Sequence, residues 1–427
     1  MDRLEELLHK TQEKSIRISV IGLGRVGLPL ASVLASKGFK VNGIDVNTDT
    51  IESIKNSKCP FYDPSLQDNL EETVKSGNLT VGTKMESNFN VLFLSVGTPK
   101  TEGNTVDYSQ LFNALNEIVK ADILGKLIIL RSTLPPKTTE DVIIPFLEDK
   151  SSLRCGKDFG LAVCPERILE GKAIRELNQL PEIIGGVNEI CNNIVKSIFQ
   201  EINPDKEFVI TSPTGAELTK LFTNIYRYIG FALANELAIW SEMYGVDATE
   251  VIKGANYNYE RCNIPIPGFA GGPCLSKDGT FLDNNTTFSS IVSTAWKLNE
   301  SIPQHVINSI KKNIGNLYNK KIAVLGLSFK SGSDDLRNSP SLKLVGILKT
   351  TGAKVIVHDP YVKDTISLKQ ALENSEVVII ATNHKEFQNI KEEINQSKPK
   401  LIYDVWSMYE SKDFPSLEYH RFGDGSL

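Results

Sequence analysis

Apolar residues come in two rhythms along this chain. Short runs sit at 16–21, 39–44, 90–96, 127–130 and 161–164, and between them apolar positions recur at helical spacing. Runs that short, separated by amphipathic stretches, predict a parallel sheet with crossover helices. The same alternation returns late in the chain, with runs at 321–325, 354–357, 377–381 and 401–405 and a helix over 341–349. Between the two regions the pattern changes. Apolar residues at 218, 221, 222, 225, 229, 232, 233 and 237 predict one long helix with that set as its buried stripe. Its start is marked by Pro213 near the first turn and by Thr214 and Glu217 at capping-box spacing. The chain is therefore expected to be an α/β protein with doubly wound domains over 1–210 and 304–427, joined by a central helical domain over 211–303.

A length of 427 residues is too great for one ordinary core and fits that division. Hydrophobic residues make up 41% and charged residues 23% of the chain, as in a soluble globular protein. The net charge is -5 and no basic run occurs, so nucleic acid has nothing to bind. No segment approaches the roughly 20 apolar residues of a membrane span. The first residues, MDRLEELLHKTQEKS, carry Leu4, Leu7 and Leu8 at helical spacing among charges, which predicts a short surface helix and no signal peptide. Six scattered cysteines without a C-x-x-C predict free thiols in a reducing, cytoplasmic setting. Five equally dispersed histidines give no metal site.

The candidate chemistry lies at strand ends and in one loop. The first strand runs into Gly22-Leu23-Gly24-Arg25-Val26-Gly27, and the second ends at Asp45. That is a Rossmann-like dinucleotide arrangement: glycines admit a pyrophosphate to a helix N-terminus, and an acid about 20 residues on holds the ribose hydroxyls. Asp45 would repel a 2′-phosphate, so NAD is expected over NADP. Later strands end at Gly97-Thr98-Pro99, Ser132-Thr133-Leu134-Pro135-Pro136 and Pro165-Glu166-Arg167, where an open α/β sheet lines its crevice. Each hydroxyl or carboxylate there, taken singly, is equally a turn or cap residue. Cys164 reads as a core residue. On the long helix Lys220, Asn224 and Arg227 share one face, as three donors for an oxygen-rich ligand or as a solvated row. The loop PIPGFAGGPCLSKD (265–278) brings five Gly or Pro residues from position 267 up to Cys274, with Lys277 and Asp278 just beyond. A cation and a carboxylate local to a thiol suit nucleophilic catalysis; a buried, inert cysteine in a turn is the plainer alternative. The third domain opens with Gly326-Leu327-Ser328-Phe329-Lys330, short of the full glycine fingerprint, and suits one nucleotide better than two.

Taken together, GLGRVGLP, Gly97-Thr98-Pro99, S-T-x-P-P, PERILEG (165–171), Lys220 with Asn224, GGPCLSKD and GLSFK…DDLRNSP resemble the nucleotide-sugar dehydrogenase family of UDP-glucose and GDP-mannose dehydrogenases, over nearly the whole chain. Arg167 in PER and the Ile183-Ile184-Gly185-Gly186 that follows resemble the UDP-N-acetylhexosamine branch, particularly enzymes acting on UDP-N-acetyl-D-mannosamine. The resemblance implies NAD-dependent four-electron oxidation of the sugar's C6 alcohol to a carboxylate. It implies Cys274 as nucleophile, Lys220 and Asn224 as oxyanion and proton-handling groups, Asp278 as the acid beside the thiol, and Glu166 and Glu170 near the reacting carbon. Arg167, Ile168, Arg227, Gly271, Phe329 and Lys330 match substrate contacts, and Thr98, Thr133 and Arg337 match cofactor contacts. Arg261 matches a residue that reaches the neighbouring subunit's substrate, which implies a homodimer or dimer-based oligomer. Three positions depart from the family: Thr50 stands where a cation often follows the ribose acid, the run 256–261 is one residue longer, which loosens the match of Tyr259, and Ser276 replaces a bulkier residue.

The chemistry needs these residue types. A second hydride leaves only from a tetrahedral carbon bearing an oxyanion, and thiol addition to the aldehyde makes that carbon. Water then releases the acid from a thioester, with Asp278 or a glutamate of PERILEG as the base. The same reaction on UDP-N-acetylglucosamine or UDP-glucose, a two-electron hydroxyacid-type dehydrogenase, and a silent NAD- or UDP-sugar-binding regulator are the alternatives.

Overall fold

A computed structural model describes residues 3–101, 105–283 and 290–425. Internal contacts divide the chain into two units, Met1–Thr223 and Asn224–Leu427, so the central helices after residue 223 and the second sheet fall in one unit.

The first unit carries strands β1 (Arg17–Ile21), β2 (Lys40–Ile44), β3 (Leu79–Gly82), β4 (Val91–Leu94), β5 (Leu127–Leu130), β6 (Gly160–Val163), β7 (Glu182–Gly186) and β8 (Phe208–Ile210). They form one sheet in the order β3-β2-β1-β4-β5-β6-β7-β8. The order reverses between β1 and β4, the place where a doubly wound sheet opens a crevice at its strand ends. Neighbours are parallel except at β6 and β7, which pair antiparallel. β4, β5 and β6 are buried along their whole length, which is why they read as continuous apolar runs. β3 and β8 lie at the sheet edges and keep mostly half-exposed or exposed residues, so no such run announces them. β7 was also not expected as a strand, because it ends in two glycines. A Cβ on Gly185 would meet the Ser212 carbonyl oxygen at 2.5 Å, so glycine there lets the start of the long helix lie against the sheet.

The second unit carries β9 (Lys321–Leu325), β10 (Lys354–His358), β11 (Val377–Ile380), β12 (Leu401–Asp404) and β13 (Glu418–Arg421), all parallel, in the order β10-β9-β11-β12-β13. Both sheets tie the loop after their first strand in the same way. Asp45 accepts the Leu23 N–H at 2.8 Å, and Asp359 accepts the Leu327 N–H at 2.7 Å. They differ in what else reaches the carboxylate. Asp359 is buried beneath His384, whose Nε2 lies 3.1 Å from it, while Asp45 is only half-buried. The second sheet thus keeps the backbone device and closes off the acid. No described helix is long and apolar enough to cross a membrane.

The long helix, Pro213–Met243, has a different buried stripe from the expected one. Buried positions include Glu217, Leu221, Asn224, Tyr228, Ala232, Asn235 and Ala238, while Phe222 and Leu233 of the predicted set are exposed. Apolar residues cover more than one face of this helix, so hydrophobicity alone does not mark the inward side. The polar members of the stripe are held by partners. Asn235 donates to Asn299 at 3.0 Å and accepts the Gly268 N–H at 2.8 Å, and Asn299 donates to the Tyr228 carbonyl at 3.3 Å. These bonds tie the long helix to the helix Ile291–Ile314 and to the loop before Cys274. Asn235→Leu strands the Gly268 N–H and the Asn299 side-chain oxygen, and is expected to cost about 2 to 4 kcal/mol. Urea unfolding followed at the second unit checks this.

Candidate active site

In the first unit, sterics explain two glycines of the loop after β1. Gly22 holds φ +90°, and a Cβ there would meet the Ser95 carbonyl oxygen at 2.8 Å. Gly27 opens the helix Gly27–Ser36, and a Cβ on it would collide with the Gly22 carbonyl oxygen. Gly24 is different. It is exposed, and a Cβ there would meet nothing within 4 Å. Packing does not demand glycine at that position, and the open space there would admit a pyrophosphate. Asp45 follows at the end of β2, braced by the N–H groups of Leu23 at 2.8 Å and Asn47 at 2.9 Å. The residues present thus fit a dinucleotide. Arg25 lies over the Phe61 ring at 4.9 Å and 3.9 Å from Glu170, so the glycine loop and the 165–171 loop share an ion pair. Val26 is the N-cap residue. Thr50 donates its N–H to the Asn47 side chain within the cap of the next helix.

Strand ends complete the crevice. The Thr98 hydroxyl donates to the Thr133 carbonyl at 2.7 Å, and the Ser132 hydroxyl to the Val96 carbonyl at 2.6 Å, which locks the β4 and β5 ends together. After β6, Glu166 is buried, and both its oxygens are engaged. Oε1 accepts the N–H groups of Arg167 at 2.7 Å and Ile168 at 2.9 Å, and Oε2 takes the Arg131 guanidinium. Burial pushes this carboxyl up, but Arg131 and the two N–H groups outweigh burial and hold it below the usual carboxylate range. Arg167 donates to the Pro181 carbonyl at 2.5 Å, and Ile168 packs at the edge of the core. Arg131, one residue before the Ser-Thr pair, has no part in the sequence expectations. Its sequence signal is slight: a single cation directly after the apolar run of β5.

In the second unit, Cys274 is exposed and caps the short helix Leu275–Asp278. The glycines before it are explained by contact. A Cβ on Gly271 would strike the Pro340 ring, and one on Gly272, held at φ +97°, would meet the Phe329 ring at 2.7 Å. The Gly272 N–H donates to the Asn338 carbonyl at 3.1 Å. The thiol loop is therefore seated on the first loop of the second sheet. Asp278 is fully buried and accepts the Asn224 amide at 2.6 Å. Lys277 lies over the Phe281 ring at 5.3 Å. The side chain of Ser276 lies outside the described residues.

Other expected site residues are more dispersed. Lys220 is half-buried one turn before Asn224, and Arg227 is exposed. Arg261 is exposed over the Tyr259 ring at 4.8 Å. Phe329 and Lys330 follow β9, half-buried. Arg337 is engaged by the buried Asp335 carboxylate, with Nε 2.9 Å from one oxygen. Two other cysteines are unsuited to nucleophilic work: burial pushes the Cys155 thiol up to about 12 and holds Cys164 well above its ordinary range.

Models of the UDP-glucose/GDP-mannose dehydrogenase family match in three parts: the NAD binding domain over residues 16–203, the central domain over 214–302 and the UDP binding domain over 323–411. The UDP-N-acetyl-D-mannosamine dehydrogenase of Pyrococcus horikoshii is 36% identical over 400 residues, spanning 91% of this chain and 95% of its own. A solved structure of the UDP-D-ManNAc dehydrogenase from that organism superposes with a TM-score of 0.90 at 34% identity, covering 96% of this chain and all of the other. The native UDP-N-acetyl-mannosamine dehydrogenase structure from Staphylococcus aureus gives a TM-score of 0.87 at 32% identity, covering 96% and 98% of the two chains.

The open space at Gly24 gives a direct test. Gly24→Val is expected to leave the melting temperature nearly unchanged and to weaken NAD binding by about tenfold or more, since a branched side chain fills the pyrophosphate approach. Calorimetric titration with NAD checks it.

Proposed function

The chain belongs to the UDP-glucose/GDP-mannose dehydrogenase family and is an NAD-dependent UDP-sugar dehydrogenase. On that premise we propose that it oxidises C6 of UDP-N-acetyl-D-mannosamine to the carboxylate, giving UDP-N-acetyl-D-mannosaminuronate. The substrate follows the relatives named above, and one observation carries the mechanism: the exposed thiol of Cys274 stands one turn before Asp278, which is locked to Asn224 at 2.6 Å. The 22–27 loop and Asp45 would hold NAD, which when bound would supply the hydride acceptor for both oxidations.

The protein's own groups do the rest. Cys274 adds its sulfur to the C6 aldehyde, so that the carbon becomes tetrahedral and can lose a second hydride; the resulting thioester is opened by water, and the thiol returns. Lys220 and Asn224 hold the oxyanion, each such donor being worth roughly 3 to 4 kcal/mol. An amide nitrogen carries two hydrogens. The bond to Asp278 uses one and aims the other, which is why the pair suits an oxyanion donor. Asp278 takes the proton of the attacking water, and Arg167, Ile168, Glu170, Arg227, Gly271, Phe329 and Lys330 contact the sugar nucleotide, with Thr98, Thr133 and Arg337 on the cofactor. The expected outcome with limiting UDP-N-acetylmannosamine is two NADH per sugar and none with UDP-N-acetylglucosamine or UDP-glucose. Cys274→Ser is expected to abolish acid formation while the fold is kept. One NADH per sugar, or acid formation by the serine variant, contradicts the mechanism.

A homodimer is part of the same proposal. The exposed side of the long helix carries Phe222, Tyr226, Leu233 and Trp240, and an apolar groove of about 310 Å³ lies beside it between Trp240, Tyr244, Val251 and Ile264. A row of large apolar side chains on one helix face is the usual mark of a subunit interface, and Arg261, exposed nearby in sequence, would serve the neighbour's substrate. Sedimentation equilibrium is expected to give a dimer, and Trp240→Glu a shift toward monomer.

A further inference from the structure

The loop after β9 is long. In the first sheet the chain passes from Ile21 to the helix that starts at Gly27, whereas in the second it runs from Leu325 to a helix that starts at Pro340. A longer loop has more freedom to lose, so placing its side chains needs anchors along its length. The near end has them. Asp359 accepts the N–H groups of Leu327 at 2.7 Å and Ser328 at 3.1 Å, and the Ser328 carbonyl accepts the Thr382 hydroxyl at 2.8 Å. The middle is reached by a buried imidazole: His384, which follows β11, accepts the Gly332 N–H at Nδ1, 3.1 Å away. That bond fixes the tautomer, because a ring nitrogen that accepts carries no proton. The proton is on Nε2, which faces the Asp359 carboxylate at 3.1 Å and the Ser328 hydroxyl at 3.2 Å. That hydroxyl donates in turn to the Lys330 carbonyl at 2.8 Å. The rings of Tyr361 and Phe387 pack against the imidazole at 4.9 and 5.5 Å between centroids.

Satisfying Asp359 does not account for this histidine. The acid already takes the N–H groups of Leu327, Ser328 and Tyr361, the last at 2.9 Å. Asp45 ties the corresponding loop of the first sheet with the N–H groups of Leu23 and Asn47 and no imidazole. What His384 adds is a bridge from the foot of the loop to its middle, and between the two bridged residues, Ser328 and Gly332, stand Phe329 and Lys330. The Phe329 ring is the surface on which Gly272 of the thiol loop sits, and a lysine is a cation for a diphosphate. We propose that His384 is a positioning residue for the sugar nucleotide: its Nδ1 holds Gly332 and thereby sets Phe329 and Lys330 against the diphosphate. This rests on the proposed contact of those two residues with a UDP-sugar.

The two ring nitrogens can be tested separately. An asparagine side chain puts its oxygen near the place of Nδ1 and can accept the Gly332 N–H; a glutamine puts its amide near Nε2 and can keep the bond to Asp359; a phenylalanine keeps the ring and neither bond. The measurement is calorimetric titration of UDP into the wild type, His384→Asn, His384→Gln and His384→Phe, with thermal melting to establish that each is folded and NAD titration as the control. His384→Gln and His384→Phe are expected to bind UDP about tenfold more weakly, and His384→Asn within about threefold of the wild type, because ordering the loop then falls on the ligand in the first two alone. NAD affinity is expected to be the same in all four. In turnover His384→Gln is expected to raise KM for UDP-N-acetylmannosamine while kcat stays near the wild-type value. The reverse order, with glutamine at wild-type affinity and asparagine weakened, means that the imidazole serves only Asp359 and overturns the proposal; so does wild-type UDP affinity in folded His384→Phe. Where a variant does not fold, the folded ones decide, since each has its own expected affinity. Failure of the wild type itself to bind UDP overturns instead the substrate reading on which the proposal rests.

Discussion

The inward stripe of the long helix is polar at Asn224 and Asn235. A helix that buries Asn224 and Asn235 must give each a partner, because an unsatisfied amide costs about 1 to 3 kcal/mol. The partners are Asp278 at 2.6 Å for one and Asn299 with the Gly268 N–H for the other. The bonds to Asp278 and to the Gly268 N–H reach the segment that flanks Cys274. The helix therefore sets the height and direction of the thiol loop, and the glycines at 271 and 272 let that loop press on Phe329 and Pro340 from the other side. An exposed cysteine on a loop held this firmly can remain reactive and still be placed.

The two parallel sheets show how one backbone device serves two ends. Each ties the loop after its first strand to an acid after the second, through Asp45 in one and Asp359 in the other. Asp45 stays half-buried beside a glycine with open space above it. Asp359 is covered by His384, which accepts the Gly332 N–H at Nδ1 and so turns its Nε2–H toward the carboxylate. An acid used in that way has no capacity left for a ribose. The difference suits a dinucleotide at the first sheet and a single nucleotide at the second, in line with the NAD binding and UDP binding domains matched there.

Much of the fold was legible in the sequence because buried parallel strands leave continuous apolar runs; β5 and β9 begin and end where those runs do. Edge strands β3 and β8 left no such trace, and β7 was hidden by its glycines. The inward face of the long helix was misjudged for a related reason. Phe222 and Leu233 face outward and Asn224 inward, so polarity and burial are uncoupled there. The glycine loop, Asp45 and the thiol loop were visible as local motifs. Arg131 was not, because its partners Glu166 and Glu182 lie 35 and 51 residues away and only the sheet brings them together.

Peptide mass spectrometry on Asp278→Asn, quenched in acid after mixing with NAD and UDP-N-acetylmannosamine, tests the covalent mechanism most directly. The account predicts an acyl adduct on the peptide containing Cys274, with NADH released and little free acid. Acid formed at the wild-type rate with that peptide unmodified would contradict it.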